Sequence, residues 1–110
     1  MIRVLMSSAG AALLRAILAR AGIPRERILL TDIRSVDWQS LTMVGERHEL
    51  GLRIPGPNAG EVTAKLCGGL AEAEFVIAGQ IVADIAVSEQ PMHGDDKSIS
   101  LHIEALTISA

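Results

Sequence analysis

The chain has 110 residues, with 13 acidic and 10 basic side chains interleaved along it to give a formal charge of −3. That length makes one domain, because two cores of half the size would each be too small to hold together. No basic stripe is present to neutralise a run of phosphates, which excludes an ordinary electrostatic nucleic-acid binder. The lone Cys67 excludes an intramolecular disulfide and, beside three scattered histidines, leaves no recognisable zinc site, so the reduced cytoplasm is the natural compartment.

Only Trp38 and Phe75 are aromatic, so the core must be built from Ala, Leu, Ile and Val. Near the N-terminus, Arg3, Arg15 and Arg20 precede the first acid, Glu26, a pattern that loosely resembles an import sequence. A secretory signal fits worse, because Arg15 interrupts the apolar stretch. No segment approaches the roughly 20 apolar residues that span a bilayer, and a soluble protein is expected.

Ser7 and Ser8 can cap a helix through their hydroxyls, and the Ala- and Leu-rich run Ala9 to Ala21 favours one, with Leu14, Ile17, Leu18 and Ala21 as its buried stripe. Gly22 supplies a left-handed end and Pro24 prevents continuation. From Arg27 to Asp37 the β-branched content predicts a first strand of unclear register, followed by a loop near Trp38 to Leu41. Met43 to Ile54 alternates cleanly: Arg47, Glu49, Gly51 and Arg53 fall on one face and His48, Leu50, Leu52 and Ile54 on the other.

Pro55, Gly56 and Pro57 end that strand, and Asn58 can cap a second helix from about Ala59 to Ala73 with Val62, Leu66 and Leu70 inward. Gly68 and Gly69 each cost such a helix about 1 kcal/mol, so its last turn should be irregular. Phe75 to Val87 predicts a strand with Ile77, Ile81, Ala83, Ile85 and Val87 inward and Asp84 and Ser88 outward. The polar stretch Glu89 to Lys97 has the composition of a hairpin connection, after which Ile99, Leu101 and Ile103 open a strand to about Ile108, paired antiparallel with its predecessor. The expected fold is therefore α+β, in the order α-β-β-α-β-β: an antiparallel four-stranded sheet with two helices packed on one face.

Candidate chemistry is sparse. The opening strand, glycine and helix, with Asp32 downstream, superficially resemble a dinucleotide-binding turn, but the fingerprint needs three glycines and only Gly10 is present. Glu46 and His48 share a side of their strand and could hydrogen-bond, yet no nucleophile or oxyanion donor stands at a recognisable spacing. His93, Asp95 and Asp96 sit in a connection too short to surround a cation. His102 and Glu104 alternate outward, and Cys67 reads as a small buried hydrophobe. The expectation is no catalytic residue, no cofactor and no metal.

The segment Ser35 to Ile54, SVDWQSLTMVGERHELGLRI, carries an Asp37-Trp38 pair, a short polar loop and a Gly45, Glu46, Arg47, His48 step into an alternating strand. This resembles the tail-completion, or tail-terminator, family of long-tailed phages and gene-transfer agents. The likeness continues through SAGAALLRAIL, the second helix, AGQIVADIAV and the closing SISLHIEALTI. The chain departs from the pattern in its brief Gly22 to Arg27 connection and in RIPGPN after the central strand. The resemblance implies a structural subunit that forms a hexameric ring on the head-proximal end of the tail tube, stops tube growth and offers a surface to the head. Its implied partners are further copies of itself, the tail tube protein and a head-tail connector or stopper, with no nucleic-acid specificity and no membrane. Its implied location is the cytoplasm during assembly and then the tail of a virion or phage-like particle.

On that reading the loop from Trp38 to Gly45 and the hairpin from Gln90 to Lys97 are contact elements, with Trp38, Gln39, Leu41, Met43, Met92, His93, Asp95 and Asp96 as candidate interface residues. Rings need contacts that close, and sheet edges and loops are suitable material. The order of helices and strands alone equally fits a small-molecule-binding or regulatory α+β module acting as a dimer. A small enzyme using His48 with Glu46 is a third reading.

Overall fold

A computed structural model describes residues 6–110. Helix α1 spans Ser8–Ala21, β1 Leu29–Gln39, β2 Val44–Ile54, α2 Ala59–Cys67, β3 Gln80–Val87, β4 Met92–His93 and β5 Ile99–Ser109. The fold is α+β. One antiparallel sheet runs β1-β2-β5-β3, and the two-residue β4, a fifth strand not anticipated from the sequence, pairs with β5 at Ser100 and Ile99. The first five residues, including Arg3 of the import-like pattern and the opening strand of the nucleotide-like one, lie outside the described residues. No described helix is long and apolar enough to cross a membrane.

Both ends of α1 follow their sequence signals. The Ser7 hydroxyl accepts from Gly10 N–H at 3.0 Å, and Gly22 takes the left-handed conformation at φ 69° with its N–H on the Ala19 carbonyl. The buried stripe gains Leu13, while Ala21 is only half-buried. Leu13, Leu14, Ile17 and Leu18 from α1, with Val62 and Leu66 from α2, cover Leu50, Leu52, Ile54, Leu101 and Ile103 from the two central strands. This buries one face of the sheet and leaves the other uncovered.

Three boundaries differ from expectation. The first strand runs later than Arg27 to Asp37, because Arg25–Arg27 forms a 3-10 turn; Trp38 and Gln39 belong to β1, paired with Gly45 and Val44, and do not form a loop. The second helix stops at Cys67 and not near Ala73. Gly68 is extended, the Arg20 guanidinium donates to its carbonyl, and a separate 3-10 turn at Leu70–Glu72 keeps Leu70 buried. Asn58 precedes α2 without a side-chain capping bond. The third strand begins at Gln80 and not at Phe75, after a turn through Gly79 in which Gln80 N–H bonds the Ile77 carbonyl.

Inside β3 the expected facing is also corrected. The register against β5 shifts between Val82 and Asp84, so the extra residue, Ala83, resets the alternation. Val82 packs against the core, Ile85 is buried, and Ile81 and Ala83 are exposed. A second shift between Leu30 and Asp32 explains the ambiguous register of β1: Leu30 packs inward, and after the irregularity Ile33 is the strand's one fully buried side chain.

Candidate functional site: sheet ends, the open face and a buried histidine

The two expected contact elements lie at opposite ends of the sheet. β1 and β2 are joined by the tight turn Ser40–Met43, closed by Ser40 N–H to the Met43 carbonyl at 2.8 Å and by Met43 N–H to the Ser40 hydroxyl at 3.1 Å. Leu41 at its tip is fully exposed, and Met43 and Val44 are about half-exposed. The connection containing Met92, His93, Asp95 and Asp96 is at the far end, beside Ile54 and Ile99. Eleven-residue strands separate the two by about 35 Å. Trp38 and Gln39 belong with the first end, so the eight candidate interface residues form two groups and no single patch.

The far connection is braced by Asp96. Its carboxylate accepts from Ser98 N–H at 3.1 Å and from the Ser98 hydroxyl at 2.5 Å, and it pairs with the Arg53 guanidinium. The Ser98 hydroxyl bond, with its backbone bond and Arg53 behind it, holds the carboxyl of Asp96 below the usual aspartate range. Its oxygens are thus committed to closing the turn. Among the described residues no three His, Cys, Asp or Glu side chains converge as a metal site, there or elsewhere.

His48 is fully buried on the helix-covered face. Its Nδ1 is 2.8 Å from the Ser35 hydroxyl on β1 and its Nε2 is 2.8 Å from the Thr107 hydroxyl on β5. Glu46, on the same side of β2, accepts from the Ser7 hydroxyl at 2.9 Å. Glu46 and His48 therefore do not bond each other: His48 is held by Ser35 and Thr107, and Glu46 by Ser7. Burial pushes the imidazole below its ordinary pKa, and the Glu46 charge opposes this only in part. A neutral imidazole satisfied at both nitrogens and closed off from solvent joins three strands, and it offers no surface to a substrate.

Gly10, the one glycine of the nucleotide-like opening, is packed onto this network. A side chain there would place Cβ 2.8 Å from Ser35 Oγ and 3.3 Å from His48 Nδ1. Asp32 lies on the opposite face of the sheet, over Gly51, so the two residues cannot hold one ligand. Cys67 is half-buried and its thiol is pushed up by burial, as befits an unreactive packing residue.

No protein-family model, curated protein or solved structure matches the chain.

Two features escaped the sequence reading. The hydroxyls of Ser35 and Thr107 flank His48 only because of the strand register, with Ser35 opposite His48 on β1 and Thr107 offset by two residues in sequence from its β5 partner Ala105. The only available signal was a histidine followed on its strand face by Leu50, Leu52 and Ile54, which demands polar partners. The second feature is the uncovered face, where the register sets Trp38, Gly45, Ile108 and Ile81 in one row across β1, β2, β5 and β3.

Proposed function

We propose that this chain is a ring-forming structural subunit of a phage-like tail, closing the end of the tail tube and helping to join tail to head. The observation that carries the reading is the placement of exposed apolar side chains at two opposite ends of one braced sheet. Leu41, Met43 and Val44 project at the β1–β2 end, and Met92 at the other. A ring is closed by heterologous contacts, which require two different patches on each subunit, spaced apart and rigidly connected. The resemblance of Asp37, Trp38 and Gly45 to His48 to the tail-terminator pattern supplies the particle class.

Native mass spectra over a range of concentrations, with and without a phage tail-tube protein, test the proposal. A discrete six-subunit mass, alone or on the tube, is expected. A species that never exceeds a dimer with tube protein present overturns it.

One observation favours a small-molecule-binding module instead. An open groove of about 510 Å3 runs along α1, lined by Met6, Ala11, Leu14, Leu18 and Ile23 with Arg15 and Arg25 at its rim. Apolar concavities with a few polar groups are the usual form of ligand sites. A melting temperature raised by a member of a small apolar-anion library would support that reading.

A further inference from the structure

Beyond the ring, and without resting on it, we propose that residues 74–78, at the outer margin of the sheet just before β3, pair antiparallel with the same residues of a second copy. β3 ends the strand order β1-β2-β5-β3, and Ile77 bridges back to Gln80 across the turn at Gly79, so the residues before that turn lie beyond the last strand. Their side chains alternate as those of a strand do. Glu72, Glu74, Val76 and Ala78 are exposed, while Ala73, Phe75 and Ile77 are half-buried, the last two packed against the core.

Two properties set this stretch apart from an ordinary connection. The first is its backbone. From Glu74 to Val76 no N–H or carbonyl takes a backbone partner among the described residues, although Phe75 and Ile77 anchor the chain on the core. The Ile77 carbonyl accepts from Gln80 N–H, so Ile77, and with it Phe75, turns its polar groups towards β3, and Glu74 and Val76 turn theirs outward. The second property is composition. Val76 is 99% exposed, and residues 73–78, AEFVIA, hold no proline, lysine or glycine to blunt the edge. An anchored edge with outward donors and acceptors and β-favouring side chains is the template that strand addition uses.

A second copy fits because the stretch is self-complementary about Val76. Antiparallel pairing centred there makes Val76 exchange both N–H···O=C bonds with its counterpart. It sets Glu74 opposite Ala78, Phe75 opposite Ile77 and Glu72 opposite Gln80 of the second copy, each repeated by the symmetry. The two Val76 side chains cover each other on one face of the ribbon, and Phe75 with Ile77 continues the core side on the other. No like charges are opposed, because the two Glu74 carboxylates lie about 14 Å apart along the ribbon, where salt screens them. Centring on Glu74 would instead set that carboxylate on its own copy, and centring on Phe75 would lay it against the apolar Val76.

Sedimentation equilibrium and hydrogen exchange on the full chain test the pairing. Wild type should dimerise as its concentration rises, and the Val76 amide should gain protection in step with the dimer. Val76→Pro removes the exchanged N–H at a position without a described backbone partner in its own subunit. Circular dichroism should show that variant folded, with a dissociation constant at least about tenfold higher. Ala78→Lys, at an exposed site, places a cation opposite Glu74 of the second copy and should tighten the dimer about three- to tenfold, whereas Ala78→Glu should loosen it. A chain monomeric at every concentration, a dimer whose Val76 amide stays unprotected, or a dimer indifferent to both Ala78 substitutions overturns the proposal. A six-subunit mass that forms without protection at Val76 removes this contact and leaves the ring. A protected dimer that never closes a ring on the tube does the reverse.

Discussion

His48 Nε2 and the Thr107 hydroxyl lie 2.8 Å apart across β2 and β5, and neither residue is reached by solvent. With Ser35 on the other ring nitrogen, the folded chain holds His48 neutral where the unfolded chain would protonate it. A folded-state pKa below the unfolded one places the full contribution to stability above about pH 6.5 and removes it as the pH falls below that value. Urea midpoints at about pH 7.5 and about pH 5.5 should therefore differ, with the acid value lower, and His48→Gln should flatten the difference. His48→Ala should cost about 3 kcal/mol at neutral pH, from the cavity and the two unpaired hydroxyls. An unchanged midpoint on acidification would remove the account of this network.

Gly10 is inside α1, where an Ala normally gains about 1 kcal/mol over Gly. Here its Cβ would lie 2.8 Å from Ser35 Oγ, and crowding of that kind costs about 1–3 kcal/mol. Gly10→Ala is expected to destabilise the chain on balance, and Ser35→Ala in the same chain should recover part of the loss. A double-mutant cycle by chemical denaturation measures that coupling. If Gly10→Ala stabilises as it would in a solvent-facing helix, α1 does not approach the sheet this closely.

Thr63 on α2 carries the one buried side-chain oxygen or nitrogen without a hydrogen-bond partner among the described residues. Val has nearly the same shape and no hydroxyl to desolvate. Thr63→Val should raise stability by about 1 kcal/mol, read as a shift in thermal or urea midpoint. A loss of stability would mean that the hydroxyl has a partner in solution.

The sequence made legible whatever is local or periodic. Ser7 and Gly22 announce the ends of α1, and the alternation from His48 to Ile54 states which face of β2 is buried. What it left hidden depends on one residue more or less, or on which strands become neighbours. Ala83 reverses the facing of Ile81 relative to Ile85, and no local pattern marks a bulge whose only cause is the match to β5. Ser35 and Thr107 carry no sign of their role until β2 is seen to lie between β1 and β5. The open face followed from two helices covering one side, but the row from Trp38 to Ile81 across it required the register.

Ring closure through the sheet ends makes a demand that single substitutions can probe. Leu41 contacts nothing inside the subunit, so Leu41→Asp should change monomer stability by less than about 0.5 kcal/mol. Met92, about 70% exposed at the opposite end, should be equally tolerant of Asp. Each variant alone should fail to form the six-subunit mass, because a heterologous ring uses both ends of every subunit. Mixed in equal amounts, the two variants still share one intact junction, between the sound tip of the Met92→Asp chain and the sound far end of the Leu41→Asp chain. That junction cannot repeat, so native mass spectra should show a mixed dimer and no closed ring. A full ring from either variant, or from the mixture, would place the closing contacts elsewhere on the subunit.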